Sequence, residues 1–195
     1  MYTIEVIEYK KLTPFLLVAA ALLVVVILAL LAADTITRST EIQSFIAQMG
    51  YVGVIIIAII GGLNIFVPIP AVTLTPIFTA SGLSLPLIIL SLTIGTLIAD
   101  YIGYVFGMVS RSYLFNQYPK IISWLEHKVT TRPHLLFPLT FLYAAFMPLP
   151  NEVIVIPFAV LGIKFKRLFV PLLLGNLINQ TMYAVGFQTV FNWVF

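Results

Sequence analysis

The chain has 195 residues, of which 61% are hydrophobic and 9% are charged, and its formal net charge is +3. Soluble domains carry about 25% charged residues, so this composition excludes a soluble enzyme and a disordered chain. The sequence has no cysteine, which also excludes disulfides, thiolate metal sites and a cysteine nucleophile.

Four long uncharged runs dominate the sequence, at residues 12–33, 42–99, 133–151 and 168–195. A helix needs about 20 apolar residues to cross a bilayer core, so we predict an all-α polytopic membrane protein. Residues 1–33 are predicted to form an N-terminal segment with an uncleaved anchor helix, a cleaved signal peptide being the alternative. Residues 34–50 mix apolar and charged side chains and predict an interfacial helix.

Prolines interrupt the next run and predict the first of two repeats, at residues 51–113. Pro68 and Pro70 break the helix between a leg at 51–66 and a leg at 71–82, and the second leg is too short to cross. We therefore predict a re-entrant hairpin, followed by a full span at 83–110.

A second hairpin is predicted after a cytoplasmic interfacial segment at 114–134. Pro148 and Pro150 separate short legs at 135–146 and 151–162, and a last span follows at 168–195. This second repeat covers residues 135–195.

The basic residues predict the orientation. With the N-terminus inside and the C-terminus outside, nine of the ten Lys and Arg residues are cytoplasmic and only Arg38 is outside. The protein is accordingly expected to be a multi-pass protein of the cell (plasma) membrane. The positive charge is explained by this asymmetry, and no nucleic-acid partner is expected.

The two predicted repeats align when the chain is shifted by 80 residues. The matched pairs include Phe66 and Phe146, Pro68 and Pro148, Pro70 and Pro150, Phe78 and Phe158, Gly82 and Gly162, and Gly95 and Gly175. Each unit makes an odd number of passes, so the second copy is predicted to be inverted. Inverted repeats with broken helices at the midplane are a recurrent transporter architecture.

Polar residues occupy matching positions in the two repeats. Thr96, Ala99 and Asp100 lie in the first span, and Asn176, Asn179 and Gln180 are their counterparts in the second. A charge at this depth is costly, which favours a shared polar centre in which Asp100 carries a proton or contacts a headgroup. The alternative is a structural acid, hydrogen-bonded to Thr96 and Tyr104 one turn away.

Asn151 and Glu152 follow Pro148 and Pro150, which form the tip of the second predicted hairpin, as Pro68 and Pro70 form that of the first. Glu152 is interpreted as part of a substrate or proton pathway with Asn151, whereas the alternative is that Asn151 caps the returning helix. No nucleophile–base pair, metal cluster or cofactor motif is visible, so no enzymatic activity, metal or cofactor is expected.

Small residues recur every four positions on the first span at Gly95, Ala99, Gly103 and Gly107, and Gly175 lies on the second span. This pattern is typical of close helix packing, with a ligand groove as the alternative.

Three segments of the sequence share features with a known family. They are Phe66-Val-Pro-Ile-Pro70, the run from Gly95 through Asp100-Tyr-Ile-Gly-Tyr104 to Gly107, and Phe146-Met-Pro-Leu-Pro-Asn-Glu152. They resemble the DedA family, also called VTT-domain or SNARE-associated Golgi-type proteins. The resemblance covers about residues 45–190. It implies one domain with two opposed re-entrant hairpins, and flipping or scrambling of membrane lipids such as polyprenyl phosphates or phospholipids. It also implies proton coupling through membrane-embedded acids, here Asp100 and Glu152.

The sequence therefore predicts a lipid translocator whose partners are membrane lipids and protons. Two alternatives stay open. One is a proton- or cation-coupled carrier of a small solute, and the other is a non-transporting scaffold that binds membrane partners through its small-residue face.

Overall fold

The computed structural model describes residues 27, 31, 34, 38–63 and 70–194, apart from the side chains of residues 128 and 130. The predicted N-terminal segment and anchor helix at 1–33, apart from residues 27 and 31, lie outside these residues, and so do residues 64–69 with Pro68. Pro70 lies within them and directly precedes a helical segment.

The described chain consists of helices joined by short turns. The α-helices are α1 (Thr40–Gly62), α2 (Thr75–Ala80), α3 (Leu85–Gln117), α4 (Pro119–Thr130), α5 (Leu136–Phe146), α6 (Glu152–Val160) and α7 (Phe165–Val194), with 3₁₀ helices at Ala71–Leu74 and Pro133–Leu135. Three of them, α1, α3 and α7, are long and apolar enough to cross a membrane. The prediction of an all-helical membrane protein is confirmed at this level.

Helix α1 is not continuous in direction. Gly50 interrupts it with φ 55° and ψ −149°, a backbone conformation that glycine adopts readily because it has no Cβ. The interruption lies at the boundary predicted between the segment 34–50 and the leg that starts at residue 51. That leg is shorter than predicted, since α1 ends at Gly62 rather than at residue 66.

Two helix ends differ from the predicted spans. Helix α3 continues to Gln117 instead of ending at residue 110, and α7 begins at Phe165 instead of residue 168. The predicted limits followed the charged residues Arg111 and Arg167, but arginine is a good helix former. The helix α3 stops only before Pro119, where the residue preceding proline is disfavoured from continuing a helix.

The turns that lead into α3 and α7 have the same geometry. Gly82 and Gly162 adopt positive φ values of 85° and 76°. In each turn the glycine N–H donates to the carbonyl three residues back, and the next N–H, of Leu83 or Ile163, donates to the carbonyl five residues back. This is the Schellman pattern that ends a helix at a left-handed glycine.

The small residues of α3 contact two different helices of the same chain. A methyl group on Gly95 would lie 2.7 Å from the Ile55 carbonyl oxygen of α1, and one on Gly107 would lie 2.6 Å from the Ile156 carbonyl oxygen of α6. These small residues therefore lie at close contacts between helices. The scaffold hypothesis needed this face to be free, and the face is buried inside the chain instead.

Helices α5 and α7 repeat the contact made by α1 and α3. A methyl group on Gly175 of α7 would lie 3.0 Å from the Phe141 carbonyl oxygen of α5 and 2.6 Å from Ala144. Backbones approach this closely only where one partner lacks a side chain.

Candidate functional site

A cavity of about 440 Å³ lies between α1, α3, α5, α7 and the turn that precedes α6. Six of the seven residues predicted for the substrate or proton pathway line it, and so do three of the four tip prolines. These residues are Thr96, Asp100, Asn151, Asn176, Asn179 and Gln180, with Pro70, Pro148 and Pro150. The structure thus brings the polar residues of both spans to one place, as the sequence predicted.

Asp100 is the centre of this group and is 1% exposed. Its Oδ2 atom accepts hydrogen bonds from the Asn176 amide at 2.7 Å and from the Asn151 amide at 3.1 Å. The partners come from α7 and the second tip, so the alternative that placed Asp100 with Thr96 and Tyr104 is wrong. Side chains from two other parts of the chain hold one oxygen of this carboxyl group.

The Asn151 side chain connects the second tip to both long helices. Besides its bond to Asp100, its Nδ2 donates to Asn176 Oδ1 at 2.8 Å. No side-chain hydrogen bond caps α6 from Asn151, so the capping alternative is wrong. The Tyr143 hydroxyl donates to the Pro150 carbonyl at 3.1 Å and fixes the backbone just before this residue.

Two further amides complete the polar lining. Gln180 Nε2 donates to Thr96 Oγ1 at 2.9 Å, which joins α7 to α3. Asn179 Nδ2 donates to the Ala145 carbonyl at 3.2 Å, which is one of the last carbonyls of α5 and has no partner along its own helix. These bonds hold the amide groups in fixed orientations around the cavity.

Glu152 is the one predicted pathway residue outside the cavity lining, although it lies near enough to Asp100 for the two carboxyl groups to interact electrostatically. Its side chain is 3% exposed, and a methyl group on Gly103 would lie 3.2 Å from its Cγ atom. It packs between α6 and α3 and does not line the cavity. It lies in the first turn of α6, directly after the second tip.

The sequence analysis missed two aromatic residues of the lining, Tyr183 and Phe187. Both follow Asn176 and Gln180 on the same face of α7, at the spacing of three or four residues that aligns side chains along a helix. This spacing was the available signal. Their rings, whose centroids are 6.5 Å apart, give the cavity an apolar wall next to its polar one.

Among the described residues that line the cavity, Asp100 is the one charged side chain, and none is basic. No three metal-ligating side chains cluster in this part of the chain. Family models, curated proteins and solved structures offer no match to this chain. The chemistry of the site is therefore deduced from its own residues.

The cavity is expected to contain water, and single cysteines test this in a chain that has none of its own. Tyr183→Cys places a thiol in the lining, whereas Met182→Cys places it on a neighbouring surface that is 56% exposed and outside the lining. Thiols react with polar methanethiosulfonates as thiolates, which need water. In vesicles we expect Tyr183→Cys to be modified at least about tenfold faster than Met182→Cys, and equal rates would contradict a hydrated cavity.

Proposed function

We propose that this protein translocates lipids between the leaflets of its membrane, as a flippase or scramblase, with the cavity as the path of the headgroup. The proposal depends on one observation, a cavity between apolar helices whose wall carries a cluster of polar side chains around Asp100. Polar groups at membrane depth are costly and are retained where they bind or conduct something polar. The headgroup would pass along the polar wall while the acyl chains stay in the bilayer.

The proposed architecture is a pair of re-entrant hairpins in an inverted repeat, within the DedA-like family that the sequence resembles. The matched glycine turns at Gly82 and Gly162 support it, as do the matched close contacts of Gly95 and Gly175. In this arrangement the N-terminus is cytoplasmic, the C-terminus is outside and the membrane is the plasma membrane. Non-helical backbone at membrane depth requires a protein or water partner, and the bond from Tyr143 to Pro150 supplies one at the second tip.

In the proposed mechanism, Asp100 alternates between its ionised and its protonated form. When ionised, the carboxylate attracts the polar part of a headgroup into the cavity; when protonated, it lowers the electrostatic cost of the empty path. Glu152, in the first turn of α6, is the second proposed proton carrier. No covalent step is involved, and the protein is not proposed to be an enzyme.

Translocation is tested with purified protein in phosphatidylcholine vesicles that contain a lipid labelled on its acyl chain. A membrane-impermeant quencher bleaches only the outer leaflet, which is about half of the label in vesicles without protein. Complete bleaching of vesicles that contain protein is the expected result. If the bleached fraction stays at half for phospholipids and for a polyprenyl phosphate, the proposal is wrong.

The second candidate is a proton- or cation-coupled carrier of a small solute. The observation that favours it is the acidic side chain of Asp100, the one acid in the described lining, which suits one bound proton or cation. It predicts uptake that depends on an ion gradient in vesicles whose lipids do not exchange leaflets. The same vesicles therefore separate the two candidates.

A further inference from the structure

Hydrogen-bond donors and acceptors are unequally available in the cavity. The amide nitrogens of Asn151, Asn176, Asn179 and Gln180 all donate to oxygen atoms of the protein. Several oxygens of the lining receive nothing from the described residues, namely Asp100 Oδ1, Asn179 Oδ1 and Gln180 Oε1. The lining is therefore prepared to accept hydrogen bonds.

Gln180 is the clearest case. The residue is 8% exposed, and its Oε1 atom is buried without a hydrogen-bond partner in the described chain, although its Nε2 is held by Thr96. A buried acceptor left unsatisfied costs about 1–3 kcal/mol. A ligand that donates a hydrogen bond would remove this cost, whereas a ligand with acceptors only would leave it in place.

The charge of the site points in the same direction. Asp100 supplies a negative charge, and the described lining includes no lysine or arginine. The N-terminus of α6 could attract an anion, but Glu152 is buried in its first turn. A phosphomonoester or diphosphate would thus meet a carboxylate and free acceptors without a compensating cation.

We propose that the cavity selects a ligand that carries a protonated amine, and disfavours ligands whose polar end is a phosphomonoester or diphosphate. This inference rests on the proposed function where the amine belongs to a lipid headgroup. An ammonium group donates up to three hydrogen bonds, and three lining residues, Asp100, Asn179 and Gln180, each have an open acceptor. The charge of the ammonium balances the carboxylate in an environment of low dielectric constant, where such pairs are strengthened.

The lipid form of the proposal is tested with three acyl-chain-labelled lipids in otherwise identical phosphatidylcholine vesicles. Phosphatidylethanolamine has a donating ammonium, phosphatidylcholine has a quaternary nitrogen without N–H groups, and phosphatidic acid has a phosphomonoester. We expect phosphatidylethanolamine to exchange at least about tenfold faster than phosphatidic acid, with phosphatidylcholine between them. Exchange of phosphatidic acid as fast as that of phosphatidylethanolamine would overturn the proposal while leaving lipid translocation intact.

Two cavity variants and one control test whether the selectivity between these lipids arises in the cavity. Asp100→Asn is expected to bring the ratio of the two rates close to one, and Gln180→Leu to reduce it. Glu41→Gln is the matched control, because it neutralises an exposed acid in the first turn of α1, and the ratio should not change. A ratio that survives both cavity variants overturns the assignment.

A measurement on the unmodified protein keeps the proposal testable if these variants do not fold, and it distinguishes the source of the amine. Ethylamine hydrochloride is expected to raise the melting temperature of the protein in detergent, and sodium phosphate at equal ionic strength is not. Stabilisation by ethylamine without exchange of any lipid would support amine binding and reject lipid translocation. If ethylamine does not stabilise the protein and lipid exchange is not selective, the inference itself is wrong.

Discussion

Replacing Asp100 with asparagine is expected to slow lipid translocation about 10- to 100-fold while the protein remains folded. Asparagine keeps an oxygen that can accept from Asn151 and Asn176, whose amides now bond to Asp100 Oδ2. It removes the negative charge, and a hydrogen bond to a charged group contributes about 1.5–3 kcal/mol, which corresponds to about 10–100-fold in affinity. The measurement is the exchange rate in vesicles with matched amounts of wild-type and variant protein.

Two further substitutions separate this effect from loss of structure. Asp100→Ala removes the acceptor as well as the charge, so two buried amides lose a partner and we expect a destabilisation of about 1–3 kcal/mol. Glu41→Gln removes an exposed charge far along the chain and should exchange lipids at the wild-type rate. Wild-type exchange by Asp100→Asn would show that the carboxylate has no part in transport.

Replacing Gly107 with leucine is expected to disrupt the packing of α6 on α3. A methyl group at this position would already lie 2.6 Å from the Ile156 carbonyl oxygen and 2.9 Å from the Ala159 Cβ. A backbone carbonyl cannot move aside without displacing its helix, and overpacking of this kind costs about 1–3 kcal/mol or more. We expect a melting temperature lower by about 6–12 °C for a loss of about 3 kcal/mol in a chain of this size.

Gly186 provides a matched control on α7. It is exposed, and no atom lies within 4 Å of a methyl group at its position, so Gly186→Leu should leave the melting temperature unchanged or raise it slightly. Thermal unfolding in the same detergent compares the two variants. Equal melting temperatures would mean that α3 and α6 do not pack as described.

The substitution at Gly107 is also expected to affect the cavity, because the helix that it displaces is attached to Asn151. Helix α6 follows directly after Asn151, which bonds to Asp100 and Asn176. A displaced α6 would therefore move the second tip, and Gly107→Leu is expected to reduce translocation as well. Gly103→Ala is a milder case, because the nearest atom to its methyl group is Glu152 Cγ at 3.2 Å, on a side chain that can rotate.

The helical elements were largely predictable, whereas their ends were not. Proline and apolar run length predicted a short helix over 135–146, and α5 occupies Leu136–Phe146. The ends of α3 and α7 were missed because Arg111 and Arg167 are charged yet compatible with a helix. Charge marks where a chain meets polar surroundings, and a helix ends where its backbone geometry or hydrogen bonding fails.

The members of the candidate site were predictable because a polar side chain stands out in an apolar run. Asp100, Asn176 and Gln180 were identified in this way, and they line one cavity. Their partners were not predictable. Thr96 and Tyr104 are near Asp100 along its own helix, but Asn151 and Asn176 reach it across the fold.

The sequence alone determined that this protein is helical, that it suits a membrane, and which rare polar residues are candidates for function, because composition and run length depend only on local order along the chain. The tertiary structure decided that the small-residue face of α3 is shared by α1 and α6, that Asn151 bonds to Asp100 instead of capping its helix, and that Glu152 packs behind the cavity. These outcomes depend on which helix faces approach each other, and close packing between elements far apart in sequence sets that arrangement.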